Sequence, residues 1–335
     1  MDRKTFHSLL SRGELPPVLL FEGDDEYSKN EAFQALRGAL LPAGLEELNE
    51  TLLDAPDTDS LIAAAETMPL MADRRLVVVR DHPALFGRAE SDDALLAYLP
   101  NVPPTSLLLF YCTQKPDGRK KLYTAVKKGN GVVTFAPLKD RELTSFVTEQ
   151  FRRAGRECDE RTADYLIFIS GTDTNLLSRE IQKIASYHPD VPQIHPDDVR
   201  SLATPSLESS VFQMVDAVVS SQQARALSLM RSQLLNGQDR VFILAMLLRQ
   251  FRILQQIKIL QYEKKSREVL LSSLGVPAFA AEQYIRQAAA YTGGQIKQAV
   301  RICFDTEYAV KSGSLNAEGA LEAVILKLLT LKKGN

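Results

Sequence analysis

The segment with the clearest potential for chemistry runs from Gly23 to Asn30, where a glycine follows an apolar run and precedes a helical pattern. Nucleotide-binding folds place their phosphate loop at such a position. That loop needs a second glycine and a Lys-Ser or Lys-Thr pair, because backbone N–H groups and the lysine hold the phosphates and the hydroxyl binds Mg²⁺. This segment has neither feature. Three consecutive carboxylates, Asp24, Asp25 and Glu26, would instead repel a polyphosphate.

The apolar run 106–112 supports the same conclusion. It ends in Tyr111-Cys112, without the acidic residue that would hold Mg²⁺ beside a bound nucleotide. The four histidines and three cysteines show no metal-ligand spacing, and no G-x-S-x-G motif occurs. We therefore expect no ATP hydrolysis, no catalysis by this chain alone, and neither a cofactor nor a bound metal.

Two large apolar residues, Leu70 and Met71, lie in the connection between a helical pattern that Pro69 ends and the apolar run that starts at Arg75. Their side chains either pack under the edge of a sheet or lie exposed, where they can bind a partner. The residue pattern by itself favours packing in the core.

Basic residues gather between 115 and 128, on a predicted helix. Lys120 and Lys127 are seven residues apart and so near one helical face, and Lys121 and Lys128 follow them directly. Contact with phosphates is one interpretation. A solvated helix face is the other, and the pattern alone favours it.

The elements around these residues form two kinds of sequence. Up to residue 137, short apolar runs alternate with amphipathic patterns, which is typical of a doubly wound parallel sheet covered by helices on both faces. Strands are predicted at 17–21, 48–54, 75–80, 106–112 and 131–135, and helices at 26–41, 59–68, 91–99 and 119–128.

Beyond residue 137, strand-like runs disappear and helical periodicity continues almost to the end. The small, polar, proline-bearing stretch 203–209 is interpreted as a linker. Helices are predicted at 138–154, 160–170, 174–187, 195–202 and 240–263. The predicted fold class is therefore α/β followed by all-α.

Composition and charge exclude several classes of protein. Hydrophobic residues make up 45% of the 335 residues, an ordinary globular balance. The three scattered cysteines favour a reducing, cytoplasmic location, and no apolar run approaches the ~18 residues of a membrane span. Charge is uneven, since residues 1–60 carry a net −8 and residues 240–335 a net +7. This asymmetry suggests partners of different sign at the two ends, although solvated faces explain it equally simply.

Several stretches carry a family resemblance when taken in order along the chain. They include PVLLFEGDDEY at 17–27, PLMADRRLVVVR at 69–80, RKKLYTAVKK at 119–128, GTDTNLLSREIQKIASY at 171–187 and RQFRILQQIKIL at 249–260. Together they resemble the delta subunits of the bacterial DNA polymerase III clamp loader. No single motif decides this, but in register they are specific, and they span essentially the whole chain.

The resemblance implies three domains, namely an AAA+-like α/β domain at 1–137, a small helical lid at 138–204 and a helical collar at 208–335. It implies that the α/β domain binds the β sliding clamp and opens its ring for loading on primed DNA. The collar would assemble with the other loader subunits, tau/gamma and delta-prime. Delta subunits neither bind nor hydrolyse ATP, which agrees with the missing phosphate loop. No membrane partner is implied.

The clamp-binding residues implied by the resemblance are Leu70 and Met71. The family has a Leu-Phe pair at this position, so Leu70 matches and Met71 departs, although methionine can fill an aromatic-sized pocket. The resemblance therefore favours exposure over core packing. It also implies that the four lysines between 120 and 128 face DNA in the assembled loader. Asn175 stands where related ATPases sense nucleotide with an arginine, which weakens a nucleotide role further.

Two other classes of function stay open. One is a degenerate ATPase subunit of the same superfamily, but those subunits carry a cysteine-rich zinc module and a Ser-Arg-Cys motif, and neither occurs here. The other is a stand-alone nucleic-acid-binding protein that uses the basic C-terminal region.

Overall fold

The structure, a computed structural model, describes residues 1–87, 92–187, 191–274 and 278–333. It consists of two compact units, Met1–Leu138 and Lys139–Asn335. The first is α/β and the second is almost entirely helical. The predicted fold class, α/β followed by all-α, is therefore confirmed, while the further division of the second unit into lid and collar stays a prediction.

The first unit is organised around a parallel sheet. Its strands are β1 (Val18–Glu22), β2 (Glu50–Asp54), β3 (Arg75–Arg80), β4 (Ser106–Tyr111) and β5 (Val132–Thr134). Their order in the sheet is β2-β3-β4-β1-β5, so β2 and β5 are edge strands. The central strands β3 and β4 are buried on both faces, which explains the unbroken apolar runs of their sequences. All five predicted strands are confirmed.

Helices cover both faces of this sheet. They are α1 (Arg3–Arg12), α2 (Glu26–Leu40), α3 (Glu46–Asn49), α4 (Thr58–Glu66), α5 (Asp93–Tyr98) and α6 (Lys121–Lys128). Alternate strand residues separate into two buried clusters, one with Leu19 and Leu109 beside α1 and α2, the other with Leu20 and Leu108 beside α4, α5 and α6. The doubly wound arrangement is thus confirmed. The sequence did not predict α1 and α3, and residue 91, where a helix was predicted to begin, lies outside the described residues.

The second unit is a set of helices in chain order. They are α7 (Asp140–Arg153), α8 (Glu160–Ser170), α9 (Thr174–Tyr187), α10 (Pro196–Leu202), α11 (Leu207–Val219), α12 (Gln223–Leu235), α13 (Arg240–Tyr262), α14 (Arg267–Ser273), α15 (Ala278–Ala289), α16 (Gly293–Lys311) and α17 (Ala320–Lys333). Within the described ranges, no helix is both long and apolar enough to cross a membrane.

Two sequence predictions for this unit are wrong in detail. Strands do not disappear completely, because β6 (Glu157–Cys158) pairs in parallel with β7 (Gln193–Ile194). The predicted linker 203–209 ends too late, because the Ser206 hydroxyl caps α11 by accepting a hydrogen bond from the Ser209 N–H at 3.1 Å.

The core of the second unit centres on α13. Leu247, Phe251, Leu254 and Ile257 are buried among side chains from α11, α15, α16 and α17. Phe242, near the start of the same helix, is 53% exposed. These four side chains, like most apolar residues of this long helix, belong to the unit's own core, whereas Phe242 is exposed.

Candidate functional site

The first candidate site is the loop of residues 67–74 between α4 and β3, called here the apolar loop. Leu70 is 53% exposed and Met71 is 82% exposed. Isolated exposed apolar side chains are common, but two neighbouring ones at the tip of a short loop form a compact surface from which a partner can exclude water. The residue pattern alone favoured core packing for Leu70 and Met71. That interpretation is wrong, because both side chains are exposed.

A buried side chain from another element holds the backbone of the apolar loop. Asn49 is the last residue of α3 and is fully buried. Its Oδ1 accepts a hydrogen bond from the Leu70 N–H at 2.7 Å, and its Nδ2 donates to the Leu70 carbonyl at 3.0 Å. Nδ2 also donates to the Leu45 carbonyl at 3.0 Å. One carboxamide therefore satisfies both backbone polar groups of Leu70.

Arg75 ties down the beginning of the same loop. This residue is buried, and its guanidinium donates to the Thr67 carbonyl at 3.3 Å and to the Thr51 hydroxyl at 2.8 Å. Burial lowers the pKa of the guanidinium, but it stays charged because arginine does not deprotonate in proteins. Directly after the tied Leu70, Met71 has a φ of +53°, in the left-handed region that non-glycine residues seldom adopt. The loop therefore has a fixed, turned backbone.

The second candidate region is the start of α2, where the sequence placed the missing phosphate loop. Its backbone donors are used inside the protein, since the Asp25 N–H donates to the Phe135 carbonyl at 3.1 Å and the Ser28 N–H to the Asp25 carboxylate at 3.1 Å. Gly23 has a φ of +115°, and a Cβ at this position would lie 2.2 Å from the Phe135 carbonyl oxygen. The turn after β1 is therefore closed against the chain that follows β5.

Lys29 completes this closure. The residue is fully buried, and its ammonium donates to the Gly23 carbonyl at 2.9 Å, to the Cys112 carbonyl at 2.7 Å and to the Glu26 carboxylate. It also lies 5.3 Å from the centre of the Tyr111 ring. All three of its protons are thus used within the chain.

The sequence did not predict this role for Lys29, because the carbonyl of Cys112 is 83 residues away. Two of the three carboxylates that the sequence placed here serve the protein itself. Asp25 caps α2, and Glu26 pairs with the lysine. Burial also raises the pKa of the Cys112 thiol to about 12, so it stays neutral. The ammonium of Lys29 therefore has no proton left for a polyphosphate.

The four lysines proposed to face DNA lie at the two ends of α6. The predicted start of this helix at 119 is wrong, because Lys120 is its N-cap residue. Lys121 pairs with Asp93 at 3.3 Å, and both side chains are exposed. Lys127 and Lys128 lie exposed in the last turn, where positive charge stabilises the helix. Their contact with DNA stays a prediction.

Comparison with protein families identifies the chain. A family model described as DNA polymerase III, delta subunit matches residues 19–136, and one described as DNA polymerase III delta subunit, C-terminal domain matches residues 208–328. Together they cover well over half of the sequence. The chain belongs to the DNA polymerase III delta subunit family. The family resemblance derived from the sequence motifs is confirmed.

Individual relatives match along nearly the whole chain. DNA polymerase III subunit delta of Bacillus subtilis (strain 168) is 26% identical over 335 residues, which is 97% of this chain and 96% of the relative. The solved structure of the Bacillus subtilis DNA clamp loader delta protein is 25% identical, covers 98% of this chain and 99% of that chain, and has a TM-score of 0.57. Together with the sheet topology, this match confirms the doubly wound α/β fold followed by helices.

Proposed function

We propose that this member of the delta subunit family binds the β sliding clamp and opens its ring, so that the clamp can be loaded on primed DNA. The observation that carries the proposal is the exposure of Leu70 and Met71 on a loop whose backbone is tied to buried side chains. The family membership supplies the context. The similar Bacillus subtilis structure is itself described as a DNA clamp loader protein.

The shape of the apolar loop suits docking into a pocket. A few buried apolar anchors carry most of the free energy of a typical protein interface. Leu70 and Met71 are such anchors, and the ties from Asn49 and Arg75 reduce the conformational entropy that docking would remove. A ligand shifts an equilibrium only by binding one state more tightly than the other. The loop must therefore bind the clamp more tightly when its ring is open than when it is closed.

The opening step takes its free energy from clamp binding rather than from ATP in this subunit. Support for this comes from the start of α2, where Lys29 uses its three protons on internal acceptors and the turn at Gly23 is closed. In the assembled loader, nucleotide hydrolysis would belong to other subunits. We infer that the chain is a non-catalytic component of the DNA polymerase III holoenzyme and acts in the cytoplasm at the replication fork.

Assembly with tau/gamma and delta-prime subunits is assigned to the predicted collar, residues 208–335. Several large apolar side chains there are exposed, including Phe242, Tyr262 and Tyr308. The alternative of a degenerate ATPase subunit has no support from the closed turn at Gly23. A stand-alone nucleic-acid-binding protein would not need the apolar loop.

The test measures clamp binding by the full chain. We expect the parent protein to bind purified β clamp in calorimetry and the Leu70→Ala/Met71→Ala double variant to lose binding, with an unchanged melting temperature. Leu235→Ala is the matched control, because Leu235 is 88% exposed in the second unit and has no assigned partner. Clamp binding that survives in the double variant would contradict the proposed function.

A further inference from the structure

We propose that Asn49 is a positioning residue, which holds the apolar loop in its clamp-binding shape before the clamp arrives. The inference rests on the proposed function, because it assigns a task to the support of the same site. Asn49 does not reach the clamp itself, since its side chain is fully buried. It acts through the backbone of Leu70.

The contacts of Asn49 are directed at the loop rather than at its own element. The carboxamide pairs with both the N–H and the carbonyl of Leu70, as a neighbouring strand would, across a separation of 21 residues. Its remaining bond, to the Leu45 carbonyl, fixes the rotamer from which these two bonds are made. This geometry orients the two peptide units on either side of the Leu70 Cα, directly before the left-handed Met71.

An asparagine is a costly choice for this buried position unless the loop needs it. A buried amide loses its hydrogen bonds to water, and an apolar residue of similar size would fill the space without that cost. The bonds to Leu70 recover the cost without burying the Leu70 side chain, which stays exposed. The bonds order the loop before the clamp binds. Clamp binding then does not lose the conformational entropy of ordering the loop.

The experiment compares the full-length variants Asn49→Leu and Asn49→Ala. Leucine keeps the side-chain volume and removes all three hydrogen bonds. Alanine removes the hydrogen bonds and also leaves a cavity. The two variants therefore separate the effect of the lost bonds from the effect of the cavity. Asn101→Ala is the matched control. Asn101 makes the same kind of bond to a carbonyl four residues earlier, Ala97 at 3.0 Å, but is exposed and does not touch the loop.

Three measurements follow on each variant. Hydrogen exchange of the Leu70 amide should accelerate by about tenfold or more, because its acceptor is removed. Clamp affinity should fall by about tenfold, which equals ~1.4 kcal/mol of lost pre-ordering. In the Leu70→Ala background, where clamp affinity is weakened but still measurable, adding Asn49→Leu should cause a smaller loss of affinity than in the parent, because the side chain that Asn49 presents is gone. A residue needed only for folding would lower affinity by the same factor in both backgrounds.

The outcomes separate this inference from the proposed function. Unchanged exchange at the Leu70 amide in both Asn49 variants would overturn the positioning role, whatever happens to the clamp. Faster exchange with unchanged affinity would overturn it as well, provided that the Leu70→Ala/Met71→Ala variant has lost clamp binding. If that double variant binds like the parent, the proposed docking surface is wrong, and the role of Asn49 in docking is overturned with it.

Discussion

The start of α2 and the apolar loop use the same chemistry for opposite purposes. In each, one fully buried polar side chain bonds to backbone groups of other elements, Lys29 to the carbonyls of Gly23 and Cys112, and Asn49 to both polar groups of Leu70. At Lys29 the bonded backbone carries small side chains and the region is closed. At Asn49 the bonded backbone carries a large apolar side chain that points into solvent.

The difference shows that a buried polar residue does not by itself mark a ligand site. Its function depends on whether its hydrogen-bonding capacity is used up and on what the bonded backbone displays. Lys29 would be an obvious phosphate ligand by residue type and position, yet its protons are all donated internally. Asn49 is also satisfied, but its effect is to present Leu70. The comparison predicts that substitutions in the two regions have effects of different size on stability and on binding.

The largest effect is expected at Lys29. Lys29→Met keeps the aliphatic part of the side chain but leaves the carbonyls of Gly23 and Cys112 without their donor. Breaking such a buried arrangement costs ~3 kcal/mol or more. The melting temperature should fall clearly, as measured by calorimetry or circular dichroism.

Lys128→Met is the control for Lys29→Met, because Lys128 is an exposed lysine of the same unit. An unchanged melting temperature in Lys29→Met would mean that the ammonium does not hold the ends of β1 and β4 together, and the closure of the turn at Gly23 would need another explanation.

Calorimetry with ATP and Mg²⁺ should show no saturable heat for the parent. Saturable binding at micromolar ATP would contradict the closure directly.

Local sequence features predicted most of the secondary structure of the first unit. The runs at β3 and β4 are rich in apolar residues, and α2 follows a glycine and an acidic cap, so these elements can be recognised from neighbouring residues in the sequence. The helix α3 has only four residues and lacks a side-chain cap bond, so no periodicity indicates it. The short ladder at Glu157–Cys158 was missed for the same reason.

The candidate site was predictable only in part. The resemblance gave the position of Leu70 and Met71, and Pro69 indicated a turn, but periodicity alone favoured burial. Neither Asn49 nor Lys29 could be assigned its role, because each depends on partners 21 to 83 residues away that the fold brings together. Contacts of this kind follow from the tertiary structure and cannot be predicted from the spacing of residues in the sequence.

The second largest effect is expected for clamp binding by single variants of the apolar loop. Leu70→Ala and Met71→Ala should each weaken binding by ~2 kcal/mol or more, roughly thirtyfold, since truncation of a buried anchor commonly costs that much. Their melting temperatures should stay near the parent value, because both side chains are exposed. Calorimetric titration with β clamp and thermal melts on the same samples measure both quantities.

Met71→Phe sharpens the same comparison, because it introduces the aromatic residue that the family resemblance implies at this position. Binding should be retained or tightened, since methionine and phenylalanine fill similar pockets. A large fall in melting temperature with intact clamp affinity in the alanine variants would return both residues to the core and remove the site.

A smaller, pH-dependent effect is expected at His82, a buried polar residue that is only partly satisfied. Its Nδ1 accepts a hydrogen bond from the Ala84 N–H at 3.2 Å, while Nε2 has no partner among the residues that the structure describes. Burial lowers the pKa of His82 below its ordinary value of 6.5, against a weaker opposite influence of Asp92. The neutral form therefore favours the folded state.

The sign of this effect follows from proton linkage. Unfolding releases His82 to its ordinary pKa, so the unfolded state binds more protons below pH 6.5. The contribution of His82 to stability is complete above that pH and is lost as the pH falls towards the lowered folded value. In melts between pH 7.5 and 5, His82→Asn should lose less stability on acidification than the parent. Parallel pH curves would show that His82 is solvated or already paired.

The smallest effect is expected for the four lysines at the two ends of α6, which, unlike Lys29, are not buried. Replacing Lys120, Lys121, Lys127 and Lys128 with alanine should weaken DNA binding by the whole loader and flatten its dependence on salt, because phosphate contacts release counterions. Lys121 should contribute least, since Asp93 already pairs with it. The measurement is DNA affinity of the assembled loader over a range of salt concentrations, with clamp binding by the variant as a check on its fold.

If the lysines contact DNA, the affinity of the variant falls similarly for unrelated DNA sequences, because phosphate contacts position a protein without reading bases. An unchanged salt slope would mean that these lysines only solvate the helix, so that the exposure of a lysine is no better a guide to a ligand than burial was at Lys29.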